Sequence, residues 1–318
     1  MKLTIQELKQ RQKWTLNQKI DHTLGVLDQF FSYCGGIDKT YIAFSGGKDS
    51  TVLLDIARMV FGQEVKGMFT NTGLEFPDIV KFVRMYDNVD ITRPSINHKK
   101  VIEQWGFPLV SKDVASLVHK ARYSPHTVIG RIVQGSMPDR GAYKHTLSDI
   151  WKFLLNKTYN TSDKCCYELK KKPAHKYEKE TGRFPIVGTM ADESAMRAIH
   201  YRNRGGCNTF GKVAKSLPIS IWTERDIWDY IKMRNIPISE IYHKGAKRTG
   251  CMFCGFGCQF KNDNRFQLLI REEPKAYAHC MSLKNNGVSY REALRDVLSV
   301  NGLYLPDEQP KTLFDFTY

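Results

Sequence analysis

Apolar residues recur at helical spacing near the start of the chain and then form short runs separated by glycine and proline. Residues 4–33 carry apolar side chains mostly three or four positions apart, which predicts one helix or two, ended by the glycines at 35 and 36. The run TYIAF (40–44) is short and apolar, as a buried strand should be. STVLLDIARMVFG (50–62) then predicts a helix that closes at Gly62.

This alternation of strands and helices continues along the chain. Strands are predicted over 64–73, 89–95 and 183–190, and a helix is predicted over 76–86. Such alternation implies right-handed crossovers, so the expected fold class is α/β, a parallel sheet with helices on both faces. Residues 106–160 mix apolar pieces with glycine, proline and basic residues, and their pattern predicts no element.

The last third of the chain contains one clear helix, over residues 222–237. Thr223 and Asp226 have the spacing of a capping box, and Pro237 ends the helical pattern. Cysteine and aromatic residues become frequent after this point. We therefore expect an N-terminal helical segment, an α/β domain and a C-terminal helical, cysteine-containing region, over residues 1–37, 38–220 and 221–318.

The composition of the chain limits the binding partners and the cellular compartment that we expect for it. The 318 residues include 48 Lys and Arg against 33 Asp and Glu, a formal charge of +15 that attracts nucleotides, nucleic acids or acidic carriers. The N-terminus lacks the apolar core of a signal peptide, and no run approaches the roughly 18 apolar residues of a membrane span. We expect a cytoplasmic protein with no membrane partner, whose 8 cysteines are thiols or metal ligands rather than disulfides.

The hexapeptide SGGKDS (45–50) stands at the turn between the first strand and its helix, where parallel α/β sheets bind ligands. Gly46 and Gly47 let backbone N–H groups approach an anion closely, and the start of the helix adds partial positive charge. Lys48 offers a full charge to phosphate, and the flanking serines offer hydroxyl donors. Asp49 would repel phosphate, so it either caps the helix or holds a Mg²⁺ ion that bridges phosphate oxygens.

SGGKDS resembles the pyrophosphate-loop (PP-loop) motif of adenine-nucleotide α-hydrolase-like enzymes. With NTGLEFPDIVKF (71–82), GTMADESAMRA (188–198) and the CxxC-containing stretch 217–254, it resembles the phosphoadenylyl-sulfate reductase family. The resemblance implies a five-stranded parallel sheet with an adenine nucleotide over its carboxyl edge. It implies that the phosphate or sulfate end is bound by Ser45, Gly46, Gly47, Lys48, Asp49 and Ser50, with Thr72 and Gly73 at the end of the second strand.

Arg197, in the segment DESAMRA, would by the same resemblance face the anion with its planar guanidinium group. The alternative is a surface arginine paired with Asp192 or Glu193. The chain departs from the family at Asn71, where aspartate is common.

Four cysteines form two pairs, one in SDKCCYELKKKP and one in RTGCMFCGFGC. Four thiolates suit a [4Fe–4S] cluster or zinc, and adjacent cysteines are an awkward pair for a tetrahedral zinc ion, which favours the cluster. The layout resembles that of adenylyl-sulfate reductases with a [4Fe–4S] cluster, which implies the ligands Cys165, Cys166, Cys251 and Cys254. Cys258 offers an alternative third ligand of a CxxCxxxC set, completed by Cys165, Cys166 or Cys207.

Basic residues near these cysteines are expected to lower the pKa values of the thiols and to offset the charge of a cluster. The residues concerned are Lys164, Lys170, Lys247 and Arg248.

The resemblance leaves the reaction open between members of the family. Sulfonucleotide reductases use a nucleophilic cysteine near the C-terminus, and residues 281–318 contain no cysteine. The complete loop is more similar to that of members that cleave ATP between its α- and β-phosphates. We expect an ATP pyrophosphatase-type enzyme that binds ATP and Mg²⁺, uses Lys48, Asp49 and Arg197, and transfers AMP to an acceptor.

The cluster would then either hold or deliver sulfur, with a sulfur-donor protein as partner, or serve only a structural role, and a nucleic acid is one possible acceptor. One alternative is reduction of adenylyl sulfate or its 3′-phosphate to sulfite, by the thiol of Cys280, Cys258 or a partner such as thioredoxin. Another is a non-catalytic protein that senses nucleotides or binds nucleic acid.

Overall fold

The computed structural model describes residues 4–139, 146–211 and 213–309. The chain forms two compact units, each built from separated segments. The first unit takes in residues 1–71, 76–93 and 173–243. The second unit takes in residues 72–75, 94–172 and 244–318. The units are therefore interleaved along the chain, whereas the three segments expected from the sequence are contiguous.

The strands and helices of the described residues are short to medium in length. The strands are β1 (Thr40–Ala43), β2 (Gly67–Thr70), β3 (Val89–Thr92), β4 (Leu109–Val110), β5 (Phe184–Ile186), β6 (Asn208–Thr209), β7 (Lys215–Ser216), β8 (Gly255–Phe256), β9 (Lys284–Asn285) and β10 (Val288–Ser289). The α-helices are α1 (Ile5–Gln12), α2 (Leu16–Cys34), α3 (Lys48–Phe61), α4 (Pro77–Val83), α5 (His98–Trp105), α6 (Lys112–Tyr123), α7 (Val128–Val133), α8 (Lys164–Cys166), α9 (Lys172–Thr181), α10 (Ala195–Arg204), α11 (Glu224–Arg234), α12 (Arg265–Glu272), α13 (Pro274–Ser282) and α14 (Tyr290–Ser299). A π-helical turn, Tyr167–Lys171, separates α8 from α9. None of the described helices is both long and apolar enough to span a membrane.

The first unit is built on one six-stranded sheet with the spatial order β3-β2-β1-β5-β7-β6. Five strands are parallel, as predicted, and β6 is an added edge strand that pairs with β7 in the antiparallel direction. The α/β fold with a mostly parallel sheet flanked by helices is therefore confirmed. Because β1 and β5 are parallel neighbours, the loops that follow them emerge at the same edge of the sheet.

Most predicted elements of the first unit are present, with shifted ends. The N-terminal apolar stripe forms two helices, α1 and α2, and the helix after β1 begins at Lys48, inside the SGGKDS loop. The helix predicted in the last third of the chain is α11, and Thr223 and Asp226 form its capping box. It ends at Arg234, before Pro237 is reached, and its C-cap Asn235 adopts the left-handed conformation.

The second unit contains the region for which the sequence predicts no element. There β4 pairs in parallel with β8, through Leu109 with Gly255 and Val110 with Phe256. The backbone N–H of Gly257 donates to the carbonyl oxygen of Val110 over 2.7 Å. Val110 has a φ of +63°, which is rare for a β-branched residue. This pairing fixes the chain that directly follows the CxxC motif.

Candidate functional site

The SGGKDS loop connects β1 to α3, and its own hydroxyl groups hold its shape. The backbone N–H of Ser45 donates to Ser50 Oγ over 3.1 Å, and that hydroxyl donates to the carbonyl oxygen of Gly47 over 2.9 Å. Gly47 is the N-cap residue of α3, and no side chain caps the helix. Asp49 is therefore not a cap, which excludes one of its two predicted roles. A helix that starts directly after a glycine pair and has no side-chain cap favours the binding of an anion at its N-terminus.

Two glycines allow the close packing of this loop. Gly46 has a φ of +70°, and a Cβ at this position would lie 2.7 Å from Val83 Cγ2 and 3.0 Å from Ile79 Cγ2. Gly188, in the loop after β5, packs from the other direction, and a Cβ there would lie 3.2 Å from the backbone oxygen of Asp49. Gly188 lies in the segment GTMADESAMRA, where the sequence alone predicts no role for it.

Lys48 is buried at the start of α3, with only 5% of its surface exposed. Its Nζ lies 3.2 Å from Asp49 Oδ1 and 3.4 Å from Glu224 Oε1, and its backbone N–H donates to the Tyr242 hydroxyl over 2.9 Å. Burial alone would lower the pKa of Lys48, but the neighbouring Asp49, Tyr242 and Glu224 outweigh it and raise the pKa above its ordinary value. The ammonium group therefore stays charged although it is buried.

For Asp49, the effect of burial on the pKa outweighs the effect of the neighbouring charges. Burial raises the pKa of its carboxyl group above the ordinary value, while the charges of Lys48 and, more weakly, Arg197 act in the lowering direction. Glu224 and Tyr242 could not be recognised as site residues from the sequence, since an acidic residue at a helix start and a single tyrosine have ordinary structural explanations.

Arg197 lies near the start of α10, where Ser194 is the N-cap. Its guanidinium group forms an ion pair with Glu193, as in the alternative considered from the sequence. It is also close enough to Asp49 to act on the pKa of that carboxyl group. Arg197 is 42% exposed at its side chain, so its guanidinium can exchange Glu193 for another anion.

Thr72 and Gly73 follow the end of β2 closely, but their packing assigns them to the second unit. The Thr72 hydroxyl donates to Glu75 Oε1 over 2.8 Å, and its backbone N–H donates to Glu75 Oε2 over 2.9 Å. Gly73 has a φ of +76° in this turn. Glu75 in turn pairs with Lys170 at 3.7 Å. The polar groups of Thr72 thus orient a buried carboxylate in the unit that carries the cysteine pairs.

The two cysteine pairs line one small cavity of the second unit, with a volume of about 10 Å³. Cys165 and Cys166 belong to α8, directly before the π-helical turn, and Cys251 and Cys254 precede β8. The remaining lining residues are Leu74, His98, Pro108, Lys170, Phe253 and Phe256. Four thiols around one cavity form a donor set that suits an iron–sulfur cluster or zinc. Among the described residues no three His, Cys, Asp or Glu side chains are arranged to hold a metal ion.

The expected lowering of the thiol pKa values was wrong. Burial raises the pKa of Cys165, Cys166 and Cys251 above the ordinary value of a thiol. Lys170 hydrogen-bonds Cys251 and acts in the lowering direction, but burial outweighs it. Lys170 is the only one of the four expected basic residues among the principal influences on these three thiols.

The other four cysteines lie outside the lining of this cavity. Cys258 lines a different pocket, with Phe260 and Tyr304, and burial raises its pKa to about 12. Cys280 is fully buried, and burial raises its pKa well above the ordinary value. None of the eight cysteines forms a disulfide. The geometry therefore groups Cys165 and Cys166 with Cys251 and Cys254, rather than with Cys258 or Cys207.

Comparison with known proteins agrees with this arrangement of motifs. The model of the phosphoadenosine phosphosulfate reductase domain matches residues 39–111 and 141–255, which is more than half of the chain. The chain belongs to this family. The match covers the PP-loop and all four cavity cysteines.

Several curated relatives are similar over part of their length. An uncharacterized protein of Methanocaldococcus jannaschii is 25% identical over 73% of this chain and 45% of its own length. Adenosine 5′-phosphosulfate reductase of Oceanobacillus iheyensis is 30% identical over 37% of this chain and 45% of its own. Sulfate adenylyltransferase subunit 2 of Agrobacterium fabrum is 25% identical over 75% of this chain and 67% of its own. The chain thus spans less than half of the first relative.

Among solved structures, phosphoadenylyl-sulfate reductase from Candida auris, in complex with phosphate, aligns with 79% of this chain and 97% of its own. The TM-score is 0.43 and the sequence identity is 15%.

Proposed function

We propose that this family member is an ATP pyrophosphatase-type adenylating enzyme, and that its cysteine cavity serves sulfur transfer. The observation that carries the proposal is the charged, buried Lys48 at the uncapped start of α3. A full cation, a glycine pair and a helix N-terminus together favour a polyphosphate. The similarity to a sulfate adenylyltransferase subunit over three quarters of this chain supports adenylyl transfer.

In this proposal the β- and γ-phosphates of ATP lie against the backbone of Gly46 and Gly47. Lys48 stabilises the negative charge that develops on the leaving pyrophosphate, and Arg197 adds a second cation by exchanging Glu193 for phosphate oxygen. A nucleophile of the acceptor attacks the α-phosphorus, and the bond from that phosphorus to the bridging oxygen breaks. The products are the adenylated acceptor and pyrophosphate. Asp49 would hold Mg²⁺, which neutralises phosphate charge.

The cavity cysteines would hold a [4Fe–4S] cluster, with zinc the poorer fit. Successive residues of a helix point about 100° apart, so Cys165 and Cys166 direct their thiols to different positions. Separate thiolates suit a group with several iron atoms better than one tetrahedral ion. When bound, the cluster would supply sulfur-binding or electron-transfer chemistry. A reducing cytoplasm would preserve the thiols, and the charge of +15 suits a nucleic-acid acceptor and an acidic sulfur-donor protein.

Sulfonucleotide reduction is the second candidate, because relatives named adenosine 5′-phosphosulfate reductase are similar to part of this chain. A nucleophilic thiol needs exposure and a low pKa. Cys280 is fully buried and Cys258 has a pKa raised to about 12, so neither meets this need. Reduction would therefore require a thiol from a thioredoxin-like partner.

The test compares products formed by anaerobically purified protein. Pyrophosphate released from ATP should fall by roughly 10²–10³-fold in Lys48→Met, as for loss of a group that stabilises developing charge. Lys39→Met is the matched control, since Lys39 is exposed and pairs with Asp38 at 3.5 Å. Sulfite from adenylyl sulfate and thioredoxin, without pyrophosphate from ATP, would replace the first candidate with the second. Tight ATP binding with neither product would indicate a nucleotide sensor.

A further inference from the structure

His98 is a buried polar residue in the wall of the cysteine cavity. It is the first residue of α5, and only 6% of its surface is exposed. Neither ring nitrogen has a hydrogen-bond partner among the described residues. The sequence alone gives His98 no distinguishing feature, because it is one of 9 histidines and lies in no recognisable motif.

A buried ring with two unsatisfied nitrogens needs an explanation, because buried polar groups in proteins are almost always hydrogen-bonded. The other residues of this cavity wall are apolar or carry thiols, apart from Lys170. Lys170 is already held by Glu75 and Cys251. The partner that His98 lacks is therefore best supplied by the group that the four cysteines bind.

The ring of His98 is held in place by packing. It packs edge-on against Phe253, with the ring centroids 5.5 Å apart and an angle of 61° between the planes. Phe253 is itself part of the CxxC motif, so His98 is in contact with the ligand loop. Burial, with a smaller effect of His279, lowers the pKa of His98 to about 4. A neutral imidazole carries one N–H donor.

We propose that His98 donates its ring N–H to a sulfur atom of the iron–sulfur cluster, and that this hydrogen bond raises the reduction potential of the cluster. The inference rests on the proposed function in one respect, that a cluster occupies the cavity. Hydrogen bonds to cluster sulfurs draw electron density away from iron and favour the reduced state. His98 is thus a positioning and tuning residue, in addition to the four thiolate ligands.

Two variants and one control separate the hydrogen bond from packing. His98→Phe keeps a ring against Phe253 and removes both nitrogens, whereas His98→Gln keeps an N–H donor. The control is His119→Phe, because His119 lies on α6 in the same unit and is not part of the cavity wall. Iron, acid-labile sulfide, the resonance Raman spectrum of the oxidised cluster and the reduction potential are measured for each.

We expect His98→Phe to keep its iron and sulfide, to shift the Fe–S stretching bands to higher frequency, and to have a lower reduction potential. His98→Gln and His119→Phe should resemble the wild type. Fe–S bands and a potential of His98→Phe equal to those of the wild type would overturn the inference while leaving the cluster intact. If His98→Phe does not retain iron, His98→Gln decides: wild-type bands support the inference, and shifted bands overturn it. Wild-type protein without iron and sulfide would instead refute the cluster on which the inference rests.

Discussion

Substitution of Gly46 tests whether the SGGKDS loop has the close packing on which the proposed nucleotide site depends. Gly46→Ala places a Cβ at a positive φ, which costs about 1–2 kcal/mol for a non-glycine residue. The new methyl group would also meet Val83 Cγ2 at 2.7 Å and Ile79 Cγ2 at 3.0 Å. Both neighbours are almost fully buried, so they have little room to move. Such overpacking costs about 1–3 kcal/mol more, so the total is about 2–5 kcal/mol.

Gly35 is a matched control for the conformational part of this cost. It ends α2 with a φ of +87°, and nothing lies within 4 Å of a Cβ built there. Gly35→Ala should therefore lower the free energy of unfolding by about 1–2 kcal/mol only. Hydrogen exchange of the amides in β1 and α3 reports the opening free energy of the first unit, and calorimetry with ATP and Mg²⁺ reports binding.

We expect Gly46→Ala to lose more opening free energy than Gly35→Ala and to bind ATP at least tenfold more weakly, since displacing the loop moves the Lys48 ammonium group. Equal losses in the two variants would mean that the contacts with Val83 and Ile79 do not restrict the loop. Wild-type ATP affinity in a destabilised Gly46→Ala protein would refute the loop as the nucleotide site.

The remaining predictions concern a proposed metal ligand, the proposed cluster ligands and a surface carboxylate. Asp49→Asn should weaken binding of ATP in the presence of Mg²⁺ by roughly 10- to 100-fold, as for loss of one charged contact of about 1.5–3 kcal/mol. The measurement is calorimetry with and without Mg²⁺. If the ratio of the two ATP affinities is the same in the variant as in the wild type, Asp49 does not hold the metal. Cys251→Ser should lose most of its iron and Cys258→Ser should keep it, and equal iron loss in both would contradict the ligand assignment. Hydrogen bonding by Arg295 holds the pKa of Glu308 below its ordinary value. The ionised carboxylate therefore stabilises the folded state at pH values above the pKa that Glu308 has in the unfolded chain. This stabilisation is lost as the pH falls through the pKa that Glu308 has in the folded chain. Glu308→Gln should therefore be less stable than the wild type in urea near pH 7, with the difference closing at acid pH once Glu308 is protonated in both states. A difference that persists there would contradict the charge argument.

The elements that could be predicted are those with local signals in the sequence. The strand before SGGKDS and the helix after it are marked by an apolar run and by helical spacing, and α11 is marked by the capping box of Thr223 and Asp226. The edge strand β6 has only two residues, Asn208 and Thr209, which is too short for any period. The pairing of β4 with β8 joins segments that are far apart in the chain, and no local sequence pattern predicts such a pairing.

The residues of the candidate site also divide into those with a local signal in the sequence and those without one. The loop residues were predictable because their chemistry is contiguous, and the cysteine pairs because thiols are rare and their spacing is distinctive. The thiol pKa values were not, since counting nearby lysines ignores burial, which dominates for Cys165 and Cys251. Glu224 and His98 acquire their significance only from what lies beside them in the folded chain.

The charge on Lys48 links these observations to catalysis. A buried ammonium group is retained only when its neighbours compensate for lost hydration, and Asp49 and Glu224 do so here. A polyphosphate can replace that compensation, because it brings more negative charge than Glu224 supplies. Asp49 is adjacent to Lys48 in the chain, so a bound polyphosphate cannot displace it. Its negative charge would repel the phosphate unless a divalent cation lies between the carboxylate and the phosphate. In the proposed function, Asp49 keeps the lysine charged in the free protein and would make nucleotide binding dependent on Mg²⁺, as the proposed adenylating reaction requires.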